Sequence, residues 1–222
     1  MLPIILSLFI GYLLGSFPSG YVIGKCRGVD IRQHGSGNIG ATNVTRTLGK
    51  KWGVLVFALD VLKGILGVRL AMGFLPLPGD PGVILGEPCF VVGTGAFLMS
   101  SEQALGMIAG LGCFLGHCFP VWLGFKGGKG VAVGAGILIG LTPWTAVIGL
   151  AIWGALFRIS RYVSLASILA AASLPVTTWF LYGHFSPVFW FTLLISLIAI
   201  WRHRGNMQRL LAGTESRFER KK

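Results

Sequence analysis

Polar and apolar positions are not interleaved evenly along this chain; basic clusters punctuate long apolar runs. The clusters are Lys25–Lys51, Lys126/Lys129, Arg158/Arg161 and Arg202–Lys222, and only Lys63 and Arg69 lie outside them. Positive residues collect on the cytoplasmic loops of membrane proteins. If the four clusters share that face, each apolar region between them crosses an even number of times. Residues 162–201 divide into two spans at Gly183–Pro187. Residues 130–157 exceed one upright span of about 20 residues and break at Leu141-Thr142-Pro143. The region 52–122 holds three apolar segments, 53–75, 83–99 and 103–122, so one of them does not cross. That one is 83–99, which is flanked by Pro76, Pro78, Pro81 and Pro88 and contains Glu87. Residues 2–24 lack a basic leader and a small-residue cleavage site, which predicts a retained first helix.

The predicted fold is all-α, a polytopic membrane bundle of seven transmembrane helices in a single domain, 1–222. Its N-terminus is outside and its C-terminus cytoplasmic, with 76–102 external and 203–222 a basic cytoplasmic tail.

Composition sharpens this reading. Of 222 residues, 54% are apolar and 12% charged, where soluble domains carry about 25% charged residues. With mean hydropathy +0.76, a soluble enzyme, a disordered chain and a disulfide scaffold are excluded. The net charge of +12 comes from 19 basic and only 7 acidic residues. Topology accounts for part of the excess; an anionic ligand is the other source. The few acids form no sequence cluster of the kind that metal-assisted phosphotransfer or ion-coupled transport employs. Cys26, Cys89, Cys113 and Cys118 make no C-x-x-C pair and read as free thiols.

Four stretches carry candidate chemistry. In Gly35–Arg46, glycines alternate with Ser36, Asn38, Thr42 and Asn43. Closely spaced glycines let backbone N–H groups converge on an anion, and Arg46 adds a fork suited to phosphate oxygens. In Gly124–Ala132, the Gly127-Gly128-Lys129-Gly130 run precedes an apolar helix, whose start offers donors and a positive dipole end. The Walker A spacing is absent, so ATP is not implied. Lys126 and Lys129 equally satisfy the positive-inside tendency, and His117 suits either a structural or a catalytic role. Ser164 lies where a loop enters a helix and serves either as an N-cap or as a ligand. If the last helix continues past the membrane, His203 and Asn206, three apart, share a face. Asp60 and Lys63, also three apart, form an intramembrane pair of either functional or structural meaning.

Together these motifs resemble the PlsY family of bacterial membrane glycerol-3-phosphate acyltransferases. The resemblance runs from Gly15-Ser16-Phe17-Pro18-Ser19-Gly20 through Gly35–Arg46, Asp60-Val61-Leu62-Lys63-Gly64, Gly116–Pro120, Phe125–Ala132 and Arg161–Ile168. It ends at His203-Arg204-Gly205-Asn206 and Arg209–Gly213. It implies transfer of a fatty acyl group from acyl phosphate to the 1-hydroxyl of sn-glycerol 3-phosphate, giving lysophosphatidic acid and inorganic phosphate. This is the first acylation of bacterial phospholipid synthesis, at a multi-pass inner (plasma) membrane protein whose site faces the cytoplasm. No metal or organic cofactor is implied.

The implied partners are acyl phosphate, glycerol 3-phosphate and membrane lipid, with room for docking by the enzyme that forms acyl phosphate; no nucleic acid is implied. Carried residue by residue, the resemblance assigns Ser36, Arg46, Lys129 and His203 to catalysis. It assigns Gly37, Asn38, Thr42, Asn43, Lys126, Gly127, Gly128, Gly130, Ser164 and Asn206 to substrate binding. The acyl phosphate's own phosphate, or alternatively His203, takes the hydroxyl proton. The segment 76–102 departs from the family pattern as an insertion. A transporter lacks support because no second half mirrors the first. A thioester-dependent acyltransferase with His followed by Asp five residues on is excluded, because no histidine here has that partner.

Overall fold

A computed structural model describes residues 1–74 and 100–218, and all regular structure among them is helical. The helices are α1 (Leu2–Ser16), α2 (Ser19–Cys26), α3 (Ala41–Leu48), α4 (Lys50–Phe74), α5 (Ser101–Cys118) and α6 (Val131–Leu141). They continue with α7 (Pro143–Ser160), α8 (Val163–Tyr182), α9 (Pro187–Arg202) and α10 (Arg204–Leu211). Among the described residues, four stretches are long and apolar enough to cross a membrane: Leu2–Cys26, Glu102–Leu123, Pro143–Ser160 and Val163–Tyr182. Helix α4 has the length, but Asp60, Lys63 and Arg69 interrupt its apolar surface. Helix α6, with 11 residues, rises roughly 16 Å, about half of a hydrocarbon core near 30 Å thick. The expected external segment 76–102 lies, up to Met99, outside the described residues.

The described chain forms two compact units, residues 1–74 with 100–141, and residues 142–218. In the first, α1 and α5 run parallel at close range because both faces are glycine. A Cβ at Gly11 or Gly15 would collide with the backbone of Ala109 or Cys113; one at Gly112 or Gly116 would meet Leu8 or Tyr12. These i, i+4 small residues allow the backbone approach that packs helices where lipid supplies no hydrophobic drive. Helices α4 and α6 also run parallel, Gly136 against Val61 and Gly140 against Val68. Since Gly67 meets Cys113 and Gly106 meets Met72, α4 is antiparallel to α5. The end of α1, the start of α4, the end of α5 and the start of α6 therefore share one end of this unit, and the basic loops connect them there.

The apolar run expected to be one helix over 2–24 is broken. Pro18 cannot donate and holds Phe17 extended, at φ −59° and ψ 114°, so α1 stops and α2 restarts at Ser19.

In the second unit α7, α8 and α9 pack in sequence. The turn between α8 and α9 gathers Trp179, His184, Phe185, Phe189 and Trp190 in ring contacts of 4.4–5.8 Å. Such aromatic belts occupy membrane–water interfaces. Twenty residues of α8 separate that belt from Arg161, a rise of about 30 Å.

Candidate functional site

The Gly35–Arg46 segment is a folded loop leading into α3, and Asn43 organises it. Its amide oxygen accepts the Ser36 N–H at 2.8 Å, while its amide nitrogen donates to the Ile31 and His34 carbonyls at 2.9 and 3.0 Å. Asn43 is buried, so it shapes the loop from within. Asn38 likewise turns its oxygen onto the Gly40 N–H, at 2.8 Å. Gly35 and Gly37 sit at φ +58° and +68°, the left-handed region that glycine enters without a Cβ penalty. Ser36 is left exposed at the crest, Thr42 is half-buried in α3, and Arg46 is exposed in its last turn. Beside this loop, hydrogen bonds from Arg32 hold the partly buried Asp30 carboxyl well below the usual carboxylate range.

The Gly124–Gly130 loop folds back on the end of α5. Gly128 N–H donates to the His117 carbonyl at 2.9 Å and Gly127 N–H to the Cys118 carbonyl at 3.2 Å. A Cβ at Gly127 would strike the His117 carbonyl and Pro120, one at Gly128 the His117 ring, and one at Gly130 the Phe114 ring. The sequence places the outward donors at the start of the apolar helix that this run precedes. The N–H groups of Gly127 and Gly128 face inward, and the donors lacking an intrahelical partner begin with the first turn of α6. Lys129 is half-buried immediately before that turn, and Lys126 is exposed.

Behind both loops lies a buried polar cluster. Lys63 Nζ is 2.9 Å from Asp60 Oδ1, 3.0 Å from the Phe17 carbonyl and 3.0 Å from His117 Nδ1. Ser19 Oγ donates to Asp60 Oδ1 at 3.0 Å. Asp60, Lys63 and His117 are 2%, 7% and 5% exposed. Removing one member of such a buried pair alone costs about 3–5 kcal/mol, because its partner's charge is stranded. The i, i+3 spacing announced the Asp60–Lys63 pair. His117 lies 54 residues from Lys63, and no local pattern announces that contact.

In the second unit Ser164, Asn206 and Arg209 converge on Glu215, a residue outside the sequence-based set. Ser164 Oγ and Asn206 Nδ2 donate to Oε1, each at 2.7 Å, and Arg209 Nε donates to Oε2 at 2.7 Å. Burial pushes the Glu215 carboxyl up, but the bonds from Asn206, Ser164 and Arg209 outweigh it and leave it below its ordinary value. Ser164 does not cap α8; Tyr162 holds the cap position. The expected continuous last helix is interrupted at His203, which ends α9 and precedes α10. His203 is buried. Its Nδ1 lies 2.8 Å from the Ala199 carbonyl, so Nδ1 donates, and in the neutral form of the ring the lone pair is on Nε2. The tail beyond Glu215 is tied down by Phe218 N–H to the Arg161 carbonyl at 3.1 Å and Arg217 Nε to the Ser160 carbonyl at 3.1 Å.

The glycerol-3-phosphate acyltransferase family model matches residues 5–213. The chain is 44% identical to a glycerol-3-phosphate acyltransferase of Agrobacterium fabrum, over 97% of this chain and 92% of that one. It is 42% identical to the Aquifex aeolicus protein of the same name, over 93% and 95%. Among solved structures it is similar to crystal structures of PlsY, an integral membrane glycerol 3-phosphate acyltransferase. The glycerol 3-phosphate form superposes with a TM-score of 0.81 at 39% identity, covering 97% of this chain and 96% of that one. The lysophosphatidic acid form gives 0.79 at the same identity.

Proposed function

Since this chain belongs to the PlsY family of glycerol-3-phosphate acyltransferases, we propose that it acylates the 1-hydroxyl of glycerol 3-phosphate with acyl phosphate as donor. The hydroxyl oxygen attacks the acyl carbonyl carbon, the bond from that carbon to the phosphate oxygen breaks, and the hydroxyl proton leaves with the phosphate. The products are 1-acyl-glycerol 3-phosphate and inorganic phosphate. Ser36, Arg46 and Lys129 hold the anionic groups, helped by Lys126 and by the donors that open α6. Gly37, Gly127, Gly128 and Gly130 give the loops their close backbone path, and Asn38, Thr42 and Asn43 fix the first loop's shape. Ser164, His203 and Asn206 contribute polar contacts to substrate, as the family resemblance implies. The bundle sits in the bacterial inner membrane with its basic ends in the cytoplasm.

The observation that carries the mechanism is the engagement of the carboxylates near these motifs. Asp30 is bound by Arg32 and Lys25, Asp60 by Lys63 and Ser19, and Glu215 by Ser164, Asn206 and Arg209. A carboxylate held by cations and hydroxyls is a poor proton acceptor. The donor's phosphate then takes the proton, and the protein supplies orientation and electrostatic stabilisation. The His203 geometry favours a second reading, with Nε2 as general base. Purified protein assayed with acyl phosphate and glycerol 3-phosphate in EDTA should release phosphate and form lysolipid; silence refutes the donor assignment, and restoration only by added metal refutes a metal-free reaction. His203→Gln should raise the acceptor KM under the first reading. A loss confined to kcat establishes the second.

A further inference from the structure

The buried cluster of Asp60, Lys63 and His117 has no place in the reaction as written, yet it joins the structures that carry it. A lysine ammonium has three N–H bonds, and Lys63 faces three acceptors: Asp60 Oδ1, the Phe17 carbonyl and His117 Nδ1. All three protons are therefore committed, and His117 Nδ1 must accept. The ring is then neutral with its proton on Nε2, and Nε2 faces Gly128, where an added Cβ would strike it. The His117 carbonyl meanwhile holds the Gly128 N–H. One residue thus grips Gly128 through ring and backbone together. On the other side Ser19 binds Asp60, and its neighbour Gly20 backs directly onto the Ile39 carbonyl of the first loop.

We propose that Asp60, Lys63 and His117 are positioning residues: the ion pair fixes the Nε2–H tautomer of His117 against Gly128, which holds the Gly124–Gly130 loop in the shape that receives a phosphate-bearing substrate. This rests on the reading of that loop as an anion site, and not on the identity of the acyl donor. The ion pair also spans from the α1–α2 break to α5. A charge pair buried at that junction sets the register of the two loops through directional bonds, which apolar contacts do not supply.

The test measures binding without turnover. Detergent-solubilised wild type, the charge-neutral double variant Asp60→Asn/Lys63→Met, and His117→Asn are titrated with glycerol 3-phosphate and, separately, with a non-transferable acyl phosphonate. His117→Gln, which restores an amide N–H near the Nε2 position, is the conservative rescue. At least one ligand should bind tenfold or more weakly to the double variant and to His117→Asn, with partial recovery in His117→Gln. The 15N shifts of labelled histidine should place the wild-type His117 lone pair on Nδ1 and lose that preference in the double variant. Unchanged affinity for both ligands in a folded variant overturns the proposal, as does a wild-type ring protonated on Nδ1. If the double variant does not fold, His117→Asn and His117→Gln decide alone. A wild type that binds glycerol 3-phosphate but does not react with acyl phosphate refutes the donor assignment and leaves the positioning role standing.

Discussion

Replacing Glu215 by alanine should free the C-terminal tail. The carboxylate accepts from Ser164, Asn206 and Arg209 at 2.7 Å each, and its side chain is 5% exposed against 44% for Arg209. Hydrogen bonds to a charged group contribute about 1.5–3 kcal/mol each when shielded, which applies to Ser164 and Asn206. The Arg209 pair, open on one side, adds under about 1 kcal/mol. Water enters the vacated place at this protein edge and recovers part of the loss, leaving roughly 3 kcal/mol. At about 1.4 kcal/mol per decade, the tail's opening equilibrium rises about 10²-fold. Hydrogen–deuterium exchange reads this directly, because Thr214, Glu215 and Phe218 donate their N–H groups to Arg209 and Arg161 carbonyls. Peptides covering 209–218 should exchange about two orders of magnitude faster in Glu215→Ala, while α8 and α9 keep their protection. Glu215→Gln retains one acceptor oxygen for Ser164 and Asn206 and should show a smaller change. Exchange within about threefold of wild type in Glu215→Ala would refute the assignment of Glu215 as the tail's anchor.

Acid should release the same tail. The carboxyl titrates lower when docked than when free, so its stabilisation is complete above the ordinary glutamate value near 4.5 and is lost as pH falls through the docked value. A spin label at Ser216→Cys in a cysteine-free background should sharpen as pH drops below about 4.5, and a spectrum flat down to pH 3 contradicts this. Gly116→Ala drives a methyl into the Tyr12 carbonyl and the Ser16 backbone. Overpacking of about 1–3 kcal/mol there exceeds the gain of about 1 kcal/mol from alanine's helix propensity, so the thermal midpoint in detergent should fall. At Gly154, where an added Cβ meets nothing, the same change should raise it; equal shifts at both positions refute the packing account.

Much of the architecture was legible because lipid imposes it. Apolar runs and basic clusters located α1, α4, α5 and α6 to α9, and Leu141-Thr142-Pro143 marked a helix boundary without any knowledge of tertiary contacts. The break at Pro18 was missed because the apolar character resumes at Tyr21-Val22-Ile23 beyond it, and only the backbone restriction at Phe17 ends α1. The interruption at His203 was missed for a related reason. Asn206 still bonds His203 through the backbone at 2.8 Å, so the i, i+3 relation survives a helix that does not. What composition and spacing could not convey was pairing at a distance. Glu215 lies 51 residues from Ser164, in a tail whose conspicuous feature is basic charge.

These distant pairings change the meaning of the low acid count. Seven acids against 19 bases suggested a protein short of general bases; the structure shows that Asp30, Asp60 and Glu215 each clamp a segment near a motif. Each binds at least one cation, Arg32 and Lys25, Lys63, or Arg209, so each lowers the local positive charge where it acts. Arg46, in the last turn of α3, and Lys126 and Lys129, in the loop before α6, belong to motifs that contain no carboxylate in sequence. Under the proposed function, the positive charge that meets substrate is a small part of the +12. A carboxylate committed in this way gains nothing by taking a substrate proton, because protonation would release the cation or hydroxyl it holds. Under the proposed reaction, the candidate acceptors for the glycerol hydroxyl proton are the acyl phosphate itself and His203 Nε2. The division of a His203→Gln defect between KM and kcat decides between them.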